Sequence, residues 1–167
     1  YRRLKGFAVF RTVDAAALLK MNGEACTKTL SRLAGQNLLV KLCRGLWTWP
    51  SIDPQILPEY ISAPAPSYIS FQTALYFHGM ISQIPRVIYA ATLGRARQVR
   101  TPLGTVSFHH LPPELFGGFD VVGPQGIKLA TAEKALVDFL PARKRSFLEL
   151  NIKALKAGHG LYAIAAA

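Results

Sequence analysis

Five prolines fall within seventeen residues: Pro50, Pro54, Pro58, Pro64 and Pro66. Proline has no amide donor and holds φ near about −65°, so no long helix or interior strand can run through such a stretch. An extended linker is expected there. It divides the chain into residues 1–50, a linker over 51–67, and residues 68–167. Two small domains of this size are each long enough to fold. Half of the 167 residues are hydrophobic, including nine Phe, six Tyr and two Trp, which supplies packed cores and excludes a disordered chain.

Charge sorts the two parts. The formal net charge is +11, from twenty Lys and Arg against nine Asp and Glu, which creates a field that attracts polyanions. Within residues 1–50 there are nine cations (Arg2, Arg3, Lys5, Arg11, Lys20, Lys28, Arg32, Lys41 and Arg44) against Asp14 and Glu24, a net +7. The polyanion site is therefore expected in the first domain, with nucleic acid as the leading partner. No run of about 18 apolar residues could span a bilayer, so no membrane partner is expected. There is no signal-peptide pattern, and because the first residue is Tyr and not Met, a natural start further upstream is an expectation. Two cysteines, Cys26 and Cys43, lack the spacing of a zinc or redox site, and a reduced, cytoplasmic protein follows.

Ala8-Val9-Phe10 is a short apolar run that reads as a strand. Thr12 follows as an N-cap, with Asp14 in the first turn of a helix expected over 13–21. Asn22-Gly23 signals a turn. A second helix is expected over 24–34, stopped by Gly35, the residue that best tolerates a left-handed end. In it Cys26, Leu30 and Leu33 make one apolar stripe. The opposite side carries Thr27, Lys28, Ser31 and Arg32, hydroxyls interleaved with cations, the groups that meet base edges and phosphates in a major groove.

Residues 38–42 and 46–49 are short apolar runs around Cys43-Arg44-Gly45, which reads as a hairpin. After two helices such a hairpin is a wing, with Arg44 at its tip and Lys41 beside it. Trp47 and Trp49 share a strand face and are expected to anchor the wing to the helices. The order of elements predicts a winged helix-turn-helix that binds double-stranded DNA, with Arg2, Arg3, Lys5 and Arg11 adding phosphate contacts. The competing reading is a small helical domain with a solvated basic face.

The second part reads as α+β. A helix is expected over 71–78, with Ser70 as its cap and Gly79 at its end, then an interior strand over 86–93. The segment 94–100 is basic, with Arg95, Arg97 and Arg100 facing either DNA or an acidic partner. A strand over 105–111, another over 127–130 and a helix over 132–140, capped by Thr131 and carrying a Lys134–Asp138 pair, complete a mixed sheet with its helices. Arg143-Lys144-Arg145 is a solvated connector before a last apolar segment.

No catalytic residue, metal or cofactor is assigned. His109 and His110 are adjacent on a strand and point to opposite faces, so they cannot share an ion without a bulge. His78 at a helix end suits carbonyl capping. Glu114, Asp120, Glu133 and Asp138 form no convincing nuclease pattern with Lys. There is no phosphate-binding loop and no nucleophile elbow.

The second part resembles the AbiEi family, the antitoxins and autorepressors of type IV toxin-antitoxin systems. The resemblance is carried by Tyr68-Ile69-Ser70 with Ala74-Leu75-Tyr76-Phe77-His78-Gly79, by Ile84-Pro85-Arg86-Val87-Ile88-Tyr89 and by Arg100-Thr101-Pro102-Leu103-Gly104. It continues through Phe108-His109, Pro113-Glu114-Leu115-Phe116 and Ala130-Thr131-Ala132-Glu133-Lys134-Ala135-Leu136-Val137-Asp138. It implies a winged helix bound to promoter inverted repeats, a second domain that counters a nucleotidyltransferase-like toxin, and no catalysis. Two other classes stay open: a regulator of other genes with a ligand-binding or dimerising second domain, and a nuclease-like enzyme using Glu114, Asp120 or the His pair.

Overall fold

The apolar run before Thr12 forms strand β1 (Val9–Arg11), which leads directly into helix α1 (Thr12–Leu19). The structure is a computed structural model that describes Leu4 and residues 6–140. Thr12 opens the helix instead of capping it. The Asp14 carboxylate accepts the Arg11 amide at 3.2 Å, while the Thr12 hydroxyl accepts from Trp47 Nε1 at 2.8 Å. Helix α2 spans Gly23–Gly35, and Asn22, expected in a turn, is its cap: Oδ1 accepts from the Ala25 amide at 2.7 Å. The left-handed residue beyond α2 is Asn37, with φ of 57°, and not Gly35. Asparagine is among the few residues that take this conformation readily.

Strands β2 (Val40–Cys43) and β3 (Leu46–Thr48) follow, turning through Gly45 at a φ of 74°. They join β1 in an antiparallel sheet of order β1-β3-β2. Leu4, Phe10, Ala15, Cys26, Leu30, Leu39 and Trp47 pack between this sheet and the two helices. Trp47 anchors the hairpin to α1 through Thr12, as its position suggested, whereas Trp49, one residue past β3, donates from Nε1 to the Phe7 carbonyl ahead of β1 at 2.8 Å.

The stretch 51–67, expected to be extended, folds instead. A 3-10 turn (Pro54–Ile56) runs into helix α3 (Leu57–Ser62), and Ser67 already belongs to the next strand. Pro54 and Pro58 sit in first turns, where the missing amide costs nothing. Burial gives the physical reason for the difference. Ile56, Leu57 and Ile61 enter one core with Val9, Leu42 and Leu46 on one side and Ala90, Val106 and Phe108 on the other. That core crosses the expected boundary at both ends of the stretch.

The second sheet holds β4 (Ser67–Ile69), β5 (Val87–Thr92), β6 (Arg97–Thr101), β7 (Gly104–His110), β8 (Phe119–Val122) and β9 (Ile127–Ala130). Its order is β6-β7-β5-β4-β9-β8, and it is mixed: β4–β9 and β5–β7 run parallel, the remaining pairs antiparallel. Helices α4 (Phe71–Phe77) and α5 (Ala132–Phe139) cover one face, packing Phe71, Ala74, Leu75 and Ala135 against Tyr68, Ala91 and Ala130. The other face meets α3 and the first sheet. Neighbours Ala90 and Ala91 belong to different cores, which is why β5 reads as apolar on both sides.

The described residues thus form an α+β fold with five helices and a mixed sheet. No helix among them is long and apolar enough to cross a membrane. Arg2, Arg3, Lys5, the Arg143-Lys144-Arg145 connector and the last apolar segment lie outside the described residues.

Candidate nucleic-acid interface

Helix α2 turns two chemically different faces in opposite directions. Cys26 and Leu30 are buried in the first core with Leu33 packed beside them, whereas Thr27, Lys28, Ser31 and Arg32 are all exposed. The ridge expected from the sequence therefore stands clear of the second sheet and its helices. Two of its polar groups have local partners. Thr27 Oγ1 donates to the Gly23 carbonyl at 2.8 Å, which leaves its oxygen lone pairs open to an outside donor and commits its only proton. Lys28 Nζ lies 2.8 Å from Glu24 Oε1. In water such a pair is weak and yields readily to a phosphate.

The hairpin places Arg44 exposed at its turn. Lys41 is exposed on β2, its ammonium 5.5 Å from the centre of the Trp47 ring, a cation–π contact. The Cys26 thiol is pushed above its usual range by burial. Burial also pushes the Cys43 thiol up, opposed by the positive charges of Arg97 and Arg11.

Two arginines assigned to partners from the sequence are used within the fold. Arg97 Nη2 donates to the Ile61 carbonyl at 2.8 Å, and Arg11 Nη2 lies 3.5 Å from the Ala63 carbonyl. Both acceptors lie at the C-terminal end of α3, where unpaired carbonyls attract cations. One guanidinium comes from the first sheet and one from the edge of the second, so they staple the two sheets to α3. Arg97 also lies over the Phe108 ring at 5.7 Å. Arg95, Arg97 and Arg100 do not make one cluster: Arg97 and Arg100 are three apart on β6 and project to opposite faces. Strand β6 was missed because its composition, Arg-Gln-Val-Arg-Thr, carries almost no apolar signal; the register against β7 creates it.

The histidines have separate environments. The His109 ring packs 4.7 Å from Phe71 and its Nε2 lies 3.3 Å from Ser107 Oγ, while His110 Nδ1 lies 2.9 Å from the Gly94 carbonyl. His78 is the C-cap residue of α4, its backbone amide donating to the Ala74 carbonyl at 3.0 Å, while its ring Nε2 lies 2.7 Å from the Ala130 carbonyl on strand β9, so the side chain ties α4 to the sheet. Among the described residues no three of His, Cys, Asp and Glu come together as a metal cluster would require.

A polar centre that sequence reasoning only half found lies under α5. Asp138 is fully buried; its Oδ2 accepts from Ser70 Oγ at 2.7 Å and Tyr68 Oη at 3.0 Å, and its Oδ1 faces Lys134 Nζ at 2.9 Å. Lys134 also donates to the Leu115 carbonyl at 2.6 Å. The i, i+4 pair was legible, and Ser70 is the N-cap residue of α4 as read, but its side chain makes no cap bond. Its hydroxyl instead turns to Asp138, sixty-eight residues away in sequence. Phe71, next to it, holds a φ of 55°, rare for a bulky side chain. Thr131 does cap α5, accepting from the Lys134 amide at 3.3 Å.

Compared with protein-family models and with curated proteins, the sequence matches none.

Proposed function

We propose that this protein is a DNA-binding transcriptional regulator whose first fifty residues act as a winged helix-turn-helix. The observation that carries the reading is the exposure of Thr27, Lys28, Ser31 and Arg32 together on α2 while the opposite stripe is buried. The arrangement around α2 supports it. Helix α1 precedes the ridge, and the hairpin that follows it joins a three-stranded sheet of order β1-β3-β2 through a turn that exposes Arg44. In this reading α2 enters the major groove, and Arg44 and Lys41 reach flanking phosphates. Arg2, Arg3, Lys5 and Arg11 add to the positive field, Arg11 with part of its donor set engaged by Ala63.

The likeness of the second part to AbiEi antitoxins extends the proposal. The chain represses its own promoter at inverted repeats and counters a nucleotidyltransferase-like toxin, with no catalytic role of its own. The test is binding to the promoter duplex across a salt series. With about six phosphates neutralised, affinity should fall about a thousandfold or more between 50 and 200 mM salt. Arg32→Ala with Arg44→Ala should weaken it further; unchanged promoter binding in that double variant would count against the interface. A toxin-rescue assay on the same variants tests the antitoxin half separately.

A further inference from the structure

We infer that the cleft between the hairpin turn, the start of α1 and α3 is a binding site for a small amphiphilic anion, one with a carboxylate or phosphate head and a short apolar body. The cavity measures about 350 Å³, near the lower end of the roughly 300–1,000 Å³ typical of ligand pockets. That volume suits a small molecule better than a peptide.

The lining is chemically lopsided. Arg11 and Arg44 supply two guanidiniums, and among the described residues no carboxylate lines the cavity. The acidic groups on the flanking helices are engaged elsewhere: Asp14 accepts the Arg11 amide, and Glu59 accepts from Lys128 at 2.6 Å. Arg97 adds a third cation, whose charge is felt at Cys43 on the cavity wall. Arg11 uses one donor on the Ala63 carbonyl, and a guanidinium carries five. A charge-assisted, forked contact to an oxyanion is what such a pair offers.

The apolar half of the ligand follows from Val13, Leu46 and Ile61, which line the same cavity with Tyr60. Val13 is 70% exposed, a β-branched apolar side chain left in water on the first turn of α1. A hydrocarbon or aromatic body seated beside the head group would cover it. Occupancy would neutralise Arg11 and Arg44, and so weaken duplex binding. That consequence rests on the proposed DNA-binding function; the occupancy itself does not.

Phenyl phosphate is the probe, titrated calorimetrically into the whole chain at low ionic strength, with inorganic phosphate and phenol as comparisons. One equivalent should bind, with side-chain resonances of Val13 and Tyr60 shifting. Arg44→Gln should weaken it at least about tenfold, and Val13→Trp, which fills the cavity from an exposed position, should abolish it without changing the melting temperature or duplex affinity. Inorganic phosphate or phenol binding as tightly as phenyl phosphate would overturn the amphiphilic site, as would failure to bind or indifference to Val13→Trp. Promoter duplex binding measured on the same samples separates the two ideas. Phenyl phosphate binding without duplex binding sinks the function and keeps the site, and the converse sinks the site alone.

Discussion

Two ion pairs with the same i, i+4 spacing lie in opposite halves of the molecule. Glu24–Lys28 on α2 leaves its side chains 79% and 77% exposed. Lys134–Asp138 on α5 leaves 11% and 0%. Helix physics alone favours the first, because an acid N-terminal to its base complements the helix dipole. Yet the second is the one built into the fold, with Tyr68 and Ser70 completing the shell around Asp138. Burial and not spacing decides what a pair is for. The exposed pair can exchange partners with a phosphate, whereas the buried one cannot be broken without stranding a charge.

The largest effect should come from breaking the buried pair from one side. Lys134→Met is expected to cost about 3–5 kcal/mol in urea unfolding. Adding Asp138→Asn should restore much of that, because an amide oxygen still accepts from Tyr68 and Ser70. A single variant as stable as the parent would remove the distinction between the two pairs. Next comes Arg32→Ala with Arg44→Ala. Duplex affinity should drop by about ten- to a hundredfold, with a salt slope shallower by roughly one for each phosphate left without its cation, and unfolding midpoints should not move.

Arg97→Ala tests the staple on α3. Losing its bond to the Ile61 carbonyl should lower stability by about 1 kcal/mol, with no change in how α2 engages a duplex. A large loss of duplex affinity with unchanged stability would instead move Arg97 into the interface. The smallest effect is expected from Glu24→Gln, which frees Lys28. Stability should shift by only about 0.3–0.5 kcal/mol, while duplex affinity rises a few-fold. Affinity that falls would show Glu24 itself touching the nucleic acid.

Much of the first half was legible because its elements are written locally. The stripe of Cys26, Leu30 and Leu33 set the buried side of α2, and the runs flanking Arg44-Gly45 produced the hairpin. Capping was less legible. Thr12 offers a hydroxyl with two plausible uses, and the choice was made by a distant partner, Trp47, whereas Asn22 was decided locally by the Ala25 amide. In the second half the strand over 127–130 and helix α5 were readable from hydrophobic pattern and a Thr cap. Strands β6 and β8 were not: both sit on sheet edges, where β6 carries mostly polar residues and β8 is a four-residue run, Phe-Asp-Val-Val, that leaves its valines exposed.

Residue order alone settles where charge accumulates, which side of α2 can be buried, and that residues 51–67 contain no long regular element. Those properties depend on residue type and on neighbours within a turn or two. Three others arise only on folding: the proline-bearing stretch becomes a short buried helix between two sheets, Arg11 and Arg97 commit donors to its end, and Ser70 turns toward Asp138. Each depends on groups far apart in the chain, and desolvation acts only once folding has brought them together.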